Sequence, residues 1–202
     1  MSSRPAGAPP PVLNIANALT GLRLLLVPVF VVALLAEDGR STAWRLAAFG
    51  VFALASITDS LDGDIARRRN LVTTFGTIAD PIADKALTGA ALIGLSALGL
   101  VPWWITVTIM VRELGVTLLR LMVLRHGVIA ASRGGKLKTA VATLAIGLYL
   151  LPLTELTGAP DAVEAVRLTV LGAALVITVV TGLDYVARAV RLRAAAGVAD
   201  RR

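Results

Sequence analysis

Asp59-Ser60-Leu61-Asp62-Gly63-Asp64-Ile65-Ala66-Arg67 is followed, after eight intervening residues, by Gly76-Thr77-Ile78-Ala79-Asp80-Pro81-Ile82-Ala83-Asp84, and apolar sequence flanks the pair on both sides. At ~100° per residue, Asp59, Asp62, Gly63 and Ala66 share one side of a helix. Gly76, Asp80 and Asp84 drift along one side of the next, so two facing helices offer four carboxylates. Asp64 falls on the opposite side from Asp62 and stands outside this set. Carboxylates near lipid cost roughly 2.5–3.5 kcal/mol each, and close like charges hold protons unless a cation compensates them. Oxygen-only donors select hard ions, Mg²⁺ or Mn²⁺, and four of them suit two ions ~3.5–4 Å apart. The rival reading is salt bridging to Arg67, Arg68, Arg69 or Lys85, and the inward face shared by the aspartates weighs against it. Gly63, Ala66 and Gly76 strip bulk from the same wall, and Pro81 removes a backbone donor, so the second helix is expected to bend there.

The surrounding sequence is that of a membrane protein. Of 202 residues, 56% are hydrophobic, and the mean hydropathy is +0.80, far above a domain that keeps a solvated surface. Apolar runs near 13–36, 44–66, 75–101, 103–124, 137–153 and 165–187 each approach the ~20 residues that cross a hydrocarbon core. The expected fold is all-α and polytopic, with six transmembrane helices behind an amphipathic N-terminal approach. The runs are too long, and too rich in Leu, Ala and Val, for alternating barrel strands. Residues 1–11, rich in Pro and Gly, read as a disordered lead, 12–193 as the membrane domain and 194–202 as a polar tail. The first run is too long for a cleaved signal and is expected to stay as an anchor.

The net charge of +7 is segregated by loop, which points to membrane orientation and away from nucleic acid. Arg67 to Arg69, then Arg125, Arg133, Lys136 and Lys138, then Arg188, Arg191, Arg193, Arg201 and Arg202 mark one side. Glu37, Asp38 and Arg40, an uncharged turn near Leu100, and Glu155, Asp161 and Glu164 mark the other. Both termini and the acidic site should therefore face the cytoplasm from the inner (plasma) membrane. The basic face also attracts anionic lipid, although the same residues serve equally as topological anchors. With no cysteine, thiol chemistry and Cys-ligated zinc are excluded. A lone histidine, His126, beside Gly127 at an expected helix end, leaves no room for a serine-hydrolase triad or a His-rich metal site.

Outside the acidic segments, Asn14, Asn17, Thr20 and Arg23 recur every third residue. They form either a headgroup-level stripe or one wall of a cytoplasmic site. Arg112 lies deep enough in an apolar run to need a partner. It either pairs structurally with Glu113 or offers its planar fork to a phosphate, and Arg120 could serve either role. Ser132 can cap the next helix, where Gly134 and Gly135 permit close approach and Lys136 and Lys138 add charge suited to a phosphate.

Together these residues resemble the CDP-alcohol phosphatidyltransferase family, whose signature Asp-x2-Asp-Gly-x2-Ala-Arg-x8-Gly-x3-Asp-x3-Asp is matched at every fixed position from Asp59 to Asp84. The resemblance extends from Asn14 to Thr139. It implies that Asp59, Asp62 and Asp80 hold two divalent cations with help from Asp84, and that Asp84 is also the general base. It implies further that Gly63, Ala66, Arg67 and Gly76, joined by Asn17 and Thr20, line the site of a CDP-diacylglycerol donor whose tails reach the membrane lipids. Glycerol 3-phosphate is the expected acceptor, its phosphate on Arg112, Arg120, Lys136 and Lys138, and a homodimer is the expected assembly. Phosphatidylglycerol or inositol phosphate are alternative acceptors. A cation transporter is the reading from another class, disfavoured because the acids straddle a cytoplasmic loop instead of the bilayer midplane.

Overall fold

A computed structural model describes residues 15–68, 74–123 and 133–199. All regular structure among them is helical: α1 (Ile15–Leu35), α2 (Thr42–Arg68), α3 (Thr74–Ala97), α4 (Trp103–Val123), α5 (Arg133–Leu150), the short α6 (Leu153–Thr157) and α7 (Pro160–Ala199). Each of the long helices among the described residues overlaps one of the apolar runs, with ends that differ. By length and composition, Asn17–Gly39 and Pro160–Arg191 are sufficient to cross a membrane among the described residues. Residues 1–11, Asn14, Arg69, Arg125, His126, Gly127, Ser132, Arg201 and Arg202, to which the sequence assigns roles above, lie outside the described residues.

The helix ends follow local chemistry. The fifth run was expected to reach residue 153, but α5 stops at Leu150, because Pro152 has no backbone donor and turns the residue before it away from helix. The last helix begins at Pro160, five residues ahead of the expected start at 165. Proline suits a first helical position, Asp161 follows in the first turn, and Val163 N–H closes on Ala159 O at 3.1 Å. At its other end α7 runs into the segment expected to be a tail, carried by Ala194, Ala195 and Ala196, the strongest helix formers. Gly99, at φ 73°, ends α3 in the left-handed conformation, with its N–H on Ser96 O at 3.0 Å and Leu100 N–H on Leu95 O at 2.9 Å. The helix passes through Pro81 without ending there.

The chain divides into two compact units, one ending at Gly94 and one starting at Leu95. In the first, α1 and α2 pack along each other across a tight turn, Ala36–Gly39, in which Glu37 and Asp38 take φ of 52° and 55°. Phe30 and Phe52 meet with ring centroids 5.9 Å apart, among buried Ala33, Leu34, Ala48 and Ala55. Gly94 of α3 lies against α1 so closely that a methyl group there would sit 2.5 Å from Leu34 Cδ2. In the second unit, α7 packs against both α4 and α5. Buried Arg167 of α7 donates to Leu148 O (3.0 Å) and Leu151 O (2.8 Å) and lies over the Tyr149 ring, tying α7 to the end of α5.

Candidate active site

In the first unit the acidic signature occupies the last turns of α2 and the first turns of α3. Asp59 and Asp84 are half-buried. The side chains of Asp62, Gly63, Asp64, Ala66, Arg67, Gly76 and Asp80 lie outside the described residues, as do those of Arg120 and Lys136. Among the described residues no three potential metal ligands cluster. The two described aspartates are partly open oxygen donors, the type a hard divalent cation takes, and so the donor chemistry fits Mg²⁺ or Mn²⁺.

Asp59 has a partner that helical periodicity alone did not connect to it. Arg23 of α1 is completely buried, and its Nη1 lies 2.6 Å from Asp59 Oδ1, while the Asp59 side chain keeps 37% of its surface exposed. The salt-bridging reading had looked to Arg67, Arg68, Arg69 and Lys85; the pair seen here comes instead from the helix before. A guanidinium taken fully out of water costs several kcal/mol unless a charge compensates it, so the pair fixes both side chains. Arg23 continues the line of Asn17 and Thr20, both also buried. The described part of the stripe therefore faces the protein interior. Further along the same helix the buried face turns apolar at Phe30, Ala33 and Leu34. Immediately before Asp59, Thr58 folds its hydroxyl back onto Leu54 O (2.9 Å) and Ala55 O (2.8 Å), leaving the aspartate as the polar group that projects.

The second unit gathers Arg112, Glu113 and Lys138, all largely buried. Glu113 Oε1 accepts from Arg112 Nη1 at 2.9 Å and from Lys138 Nζ. One carboxylate therefore serves two cations and leaves the trio with a surplus positive charge. Lys138 lies in the second turn of α5, as expected for that charge. Arg112 Nη2 donates to Thr181 Oγ1 of α7 at 2.7 Å, and Thr181 in turn donates to Ile177 O at 2.6 Å. Arg112 Nε is buried and has no hydrogen-bond partner among the described residues, a deficit worth about 1–3 kcal/mol. Next to it, a methyl group on Gly182 would lie 2.9 Å from Arg112 Cγ and 3.0 Å from Nε. Of the two readings open for Arg112, the pairing with Glu113 is realised, and Nε is left without a hydrogen-bond partner among the described residues. Thr181 and Gly182 were not legible as part of this cluster, since α7 shows little in sequence beyond hydrophobicity.

The sequence model of the CDP-alcohol phosphatidyltransferases matches residues 13–183. A Mycobacterium tuberculosis protein described as a probable phosphatidylglycerophosphate synthase is 57% identical over 178 residues, covering 88% of this chain and 82% of its own. The CDP-diacylglycerol–glycerol-3-phosphate 3-phosphatidyltransferase of Bacillus subtilis is 40% identical over 185 residues, covering 85% and 93%. A CMP-forming cardiolipin synthase of Streptomyces coelicolor is 34% identical over 119 residues, covering 57% and 54%.

Proposed function

The chain belongs to the CDP-alcohol phosphatidyltransferase family, and from that premise we propose that it transfers a phosphatidyl group from CDP-diacylglycerol to glycerol 3-phosphate, releasing CMP and forming phosphatidylglycerophosphate in phospholipid biosynthesis. The observation that carries this reading is the complete acidic signature from Asp59 to Asp84, set on consecutive helices with Asp59 and Asp84 half-buried. Asp59, Asp62, Asp80 and Asp84 are assigned to two divalent cations, Mg²⁺ or Mn²⁺. Once bound, such ions neutralise the diphosphate and stabilise charge on the attacking and departing oxygens.

The remaining chemistry belongs to side chains. Asp84 takes the proton from the terminal hydroxyl of glycerol 3-phosphate as that oxygen bonds to the lipid-side phosphorus. The bond from this phosphorus to the bridging oxygen breaks, and CMP departs. Arg23 holds Asp59 in one orientation beneath the site. Asn17, Thr20, Gly63, Ala66, Arg67 and Gly76 form the wall for the CDP group. Arg112, Arg120, Lys136 and Lys138 take the phosphate of the acceptor, and the surplus charge around Glu113 supports that role. No covalent intermediate on the protein is needed.

The same reading places six helices across the inner (plasma) membrane, with the active site and both termini facing the cytoplasm and two copies forming a homodimer. The segregation of basic residues supports the orientation. Phosphatidylglycerol as acceptor is the second reading, motivated by the Streptomyces coelicolor relative, but that match covers 57% of the chain against 85% or more for the two relatives quoted before it. The deciding experiment offers purified protein CDP-diacylglycerol with glycerol 3-phosphate, phosphatidylglycerol or inositol phosphate, with and without chelator, and identifies the lipid formed. Phosphatidylglycerophosphate appearing only with divalent metal is the expected result. Cardiolipin, or turnover unaffected by chelation, would overturn the reading.

A further inference from the structure

Beyond the acceptor assignment on which it rests, we infer that the Thr181–Gly182 step of α7 is a specificity-determining seat for Arg112, holding its fork in the orientation that meets the acceptor's phosphate. Two of the three guanidinium nitrogens are already committed, Nη1 to Glu113 at 2.9 Å and Nη2 to Thr181 Oγ1 at 2.7 Å. These bonds come from two helices, one from α4 itself and one from α7, and together they fix the plane of the group. Nε is the nitrogen left over: buried, and without a hydrogen-bond partner among the described residues. A buried N–H directed at no protein acceptor marks where an acceptor must arrive.

Gly182 sets how closely Arg112 can lie against α7. Any larger residue there would carry a Cβ 3.0 Å from Nε and 2.9 Å from Cγ, pushing the side chain off its seat. Glycine at this position is therefore explained by the close approach of Arg112, not by backbone conformation. The fit is to a phosphomonoester, whose oxygens can take a charge-assisted bond from Nε while Lys138, tethered to the same Glu113, supplies a second positive charge. Thr181 and Gly182 act through Arg112 and are positioning residues.

The test measures steady-state CMP release by detergent-solubilised Gly182→Ala, Thr181→Val, Thr181→Ser and Arg112→Ala proteins, each first shown by thermal unfolding to be folded. Gly182→Ala and Thr181→Val are expected to raise KM for glycerol 3-phosphate by roughly 10-fold or more, the cost of one lost or misdirected charge-assisted hydrogen bond. KM for CDP-diacylglycerol and kcat at saturation should hold within about twofold, since only the acceptor's grip is altered. Thr181→Ser, which keeps the hydroxyl, should restore the parent KM. If Arg112→Ala raises KM for the acceptor while folded Gly182→Ala and Thr181→Val do not, the seat is wrong and the acceptor assignment stands. If Arg112→Ala leaves that KM unchanged, the assignment of Arg112 itself fails and the seat falls with it.

Discussion

Replacing Asp59 with alanine should cost stability as well as activity, and the structure sets the size of the effect. Its partner, Arg23, is fully buried with Nη1 2.6 Å from Asp59 Oδ1, so the substitution removes that counter-charge from a guanidinium held in the interior. Breaking a fully buried pair from one side costs about 3–5 kcal/mol. Asp59 retains 37% of its side-chain surface, so solvent already screens the pair, and halving that figure gives about 2 kcal/mol. For a chain of this size each kcal/mol moves the unfolding midpoint by about 2–4 °C, hence a fall of about 4–8 °C. Asp84→Ala is the control. No ion pair to Asp84 exists among the described residues, and losing one of four like charges relieves repulsion in metal-free protein, so its midpoint should hold or rise. The assay is thermal unfolding in detergent with chelator present, and the double variant Arg23→Met/Asp59→Ala should regain most of the loss because the stranded charge is gone. Equal midpoints for Asp59→Ala and Asp84→Ala, or a double variant no more stable than Asp59→Ala, would refute the reasoning.

Other expectations follow from single contacts. Asp84→Asn should lower CMP release by at least ~100-fold, the usual contribution of a positioned base, with unfolding unchanged; near-normal turnover would remove Asp84 from that role. Gly94→Ala places a methyl group 2.5 Å from Leu34 Cδ2, and because Leu34 is itself buried the overpacking should cost about 1–3 kcal/mol in thermal denaturation. Arg167→Met forfeits the bonds to Leu148 O and Leu151 O; with hydrogen bonds of charged groups worth ~1.5–3 kcal/mol each, a loss of about 3 kcal/mol is expected. CMP release per folded molecule should not change in that variant, which a paired activity and unfolding measurement checks.

Sequence and structure agree where the physics is local. Apolar run length located the long helices among the described residues, and the acidic signature falls on two consecutive ones. The ends of α5 and α7 were misjudged because hydropathy falls off gradually, whereas Pro152 and Pro160 set backbone boundaries sharply. The Arg23–Asp59 pair was out of reach for a different reason. Periodicity tells which residues share a side of one helix, but not how far two helices slide along each other, and that offset decides which charges meet. An arginine within the apolar first run was the available signal, since such a residue must find a counter-charge. Arg112, 69 residues from Thr181, shows the same limit across a greater distance.

The change in character along the buried side of α1 makes this helix more than an anchor. Its first turns present Asn17, Thr20 and Arg23 inward, and its later ones Phe30, Ala33 and Leu34. A slip of one turn, about 5.4 Å, would drag the guanidinium into the aromatic layer and lift that layer toward the acids. The helix is keyed like a two-sided tooth: it can seat at only one height and one rotation. A generic leucine span grafted in its place would still insert into a bilayer, but it would carry no counter-charge to index Asp59 on the helix behind it.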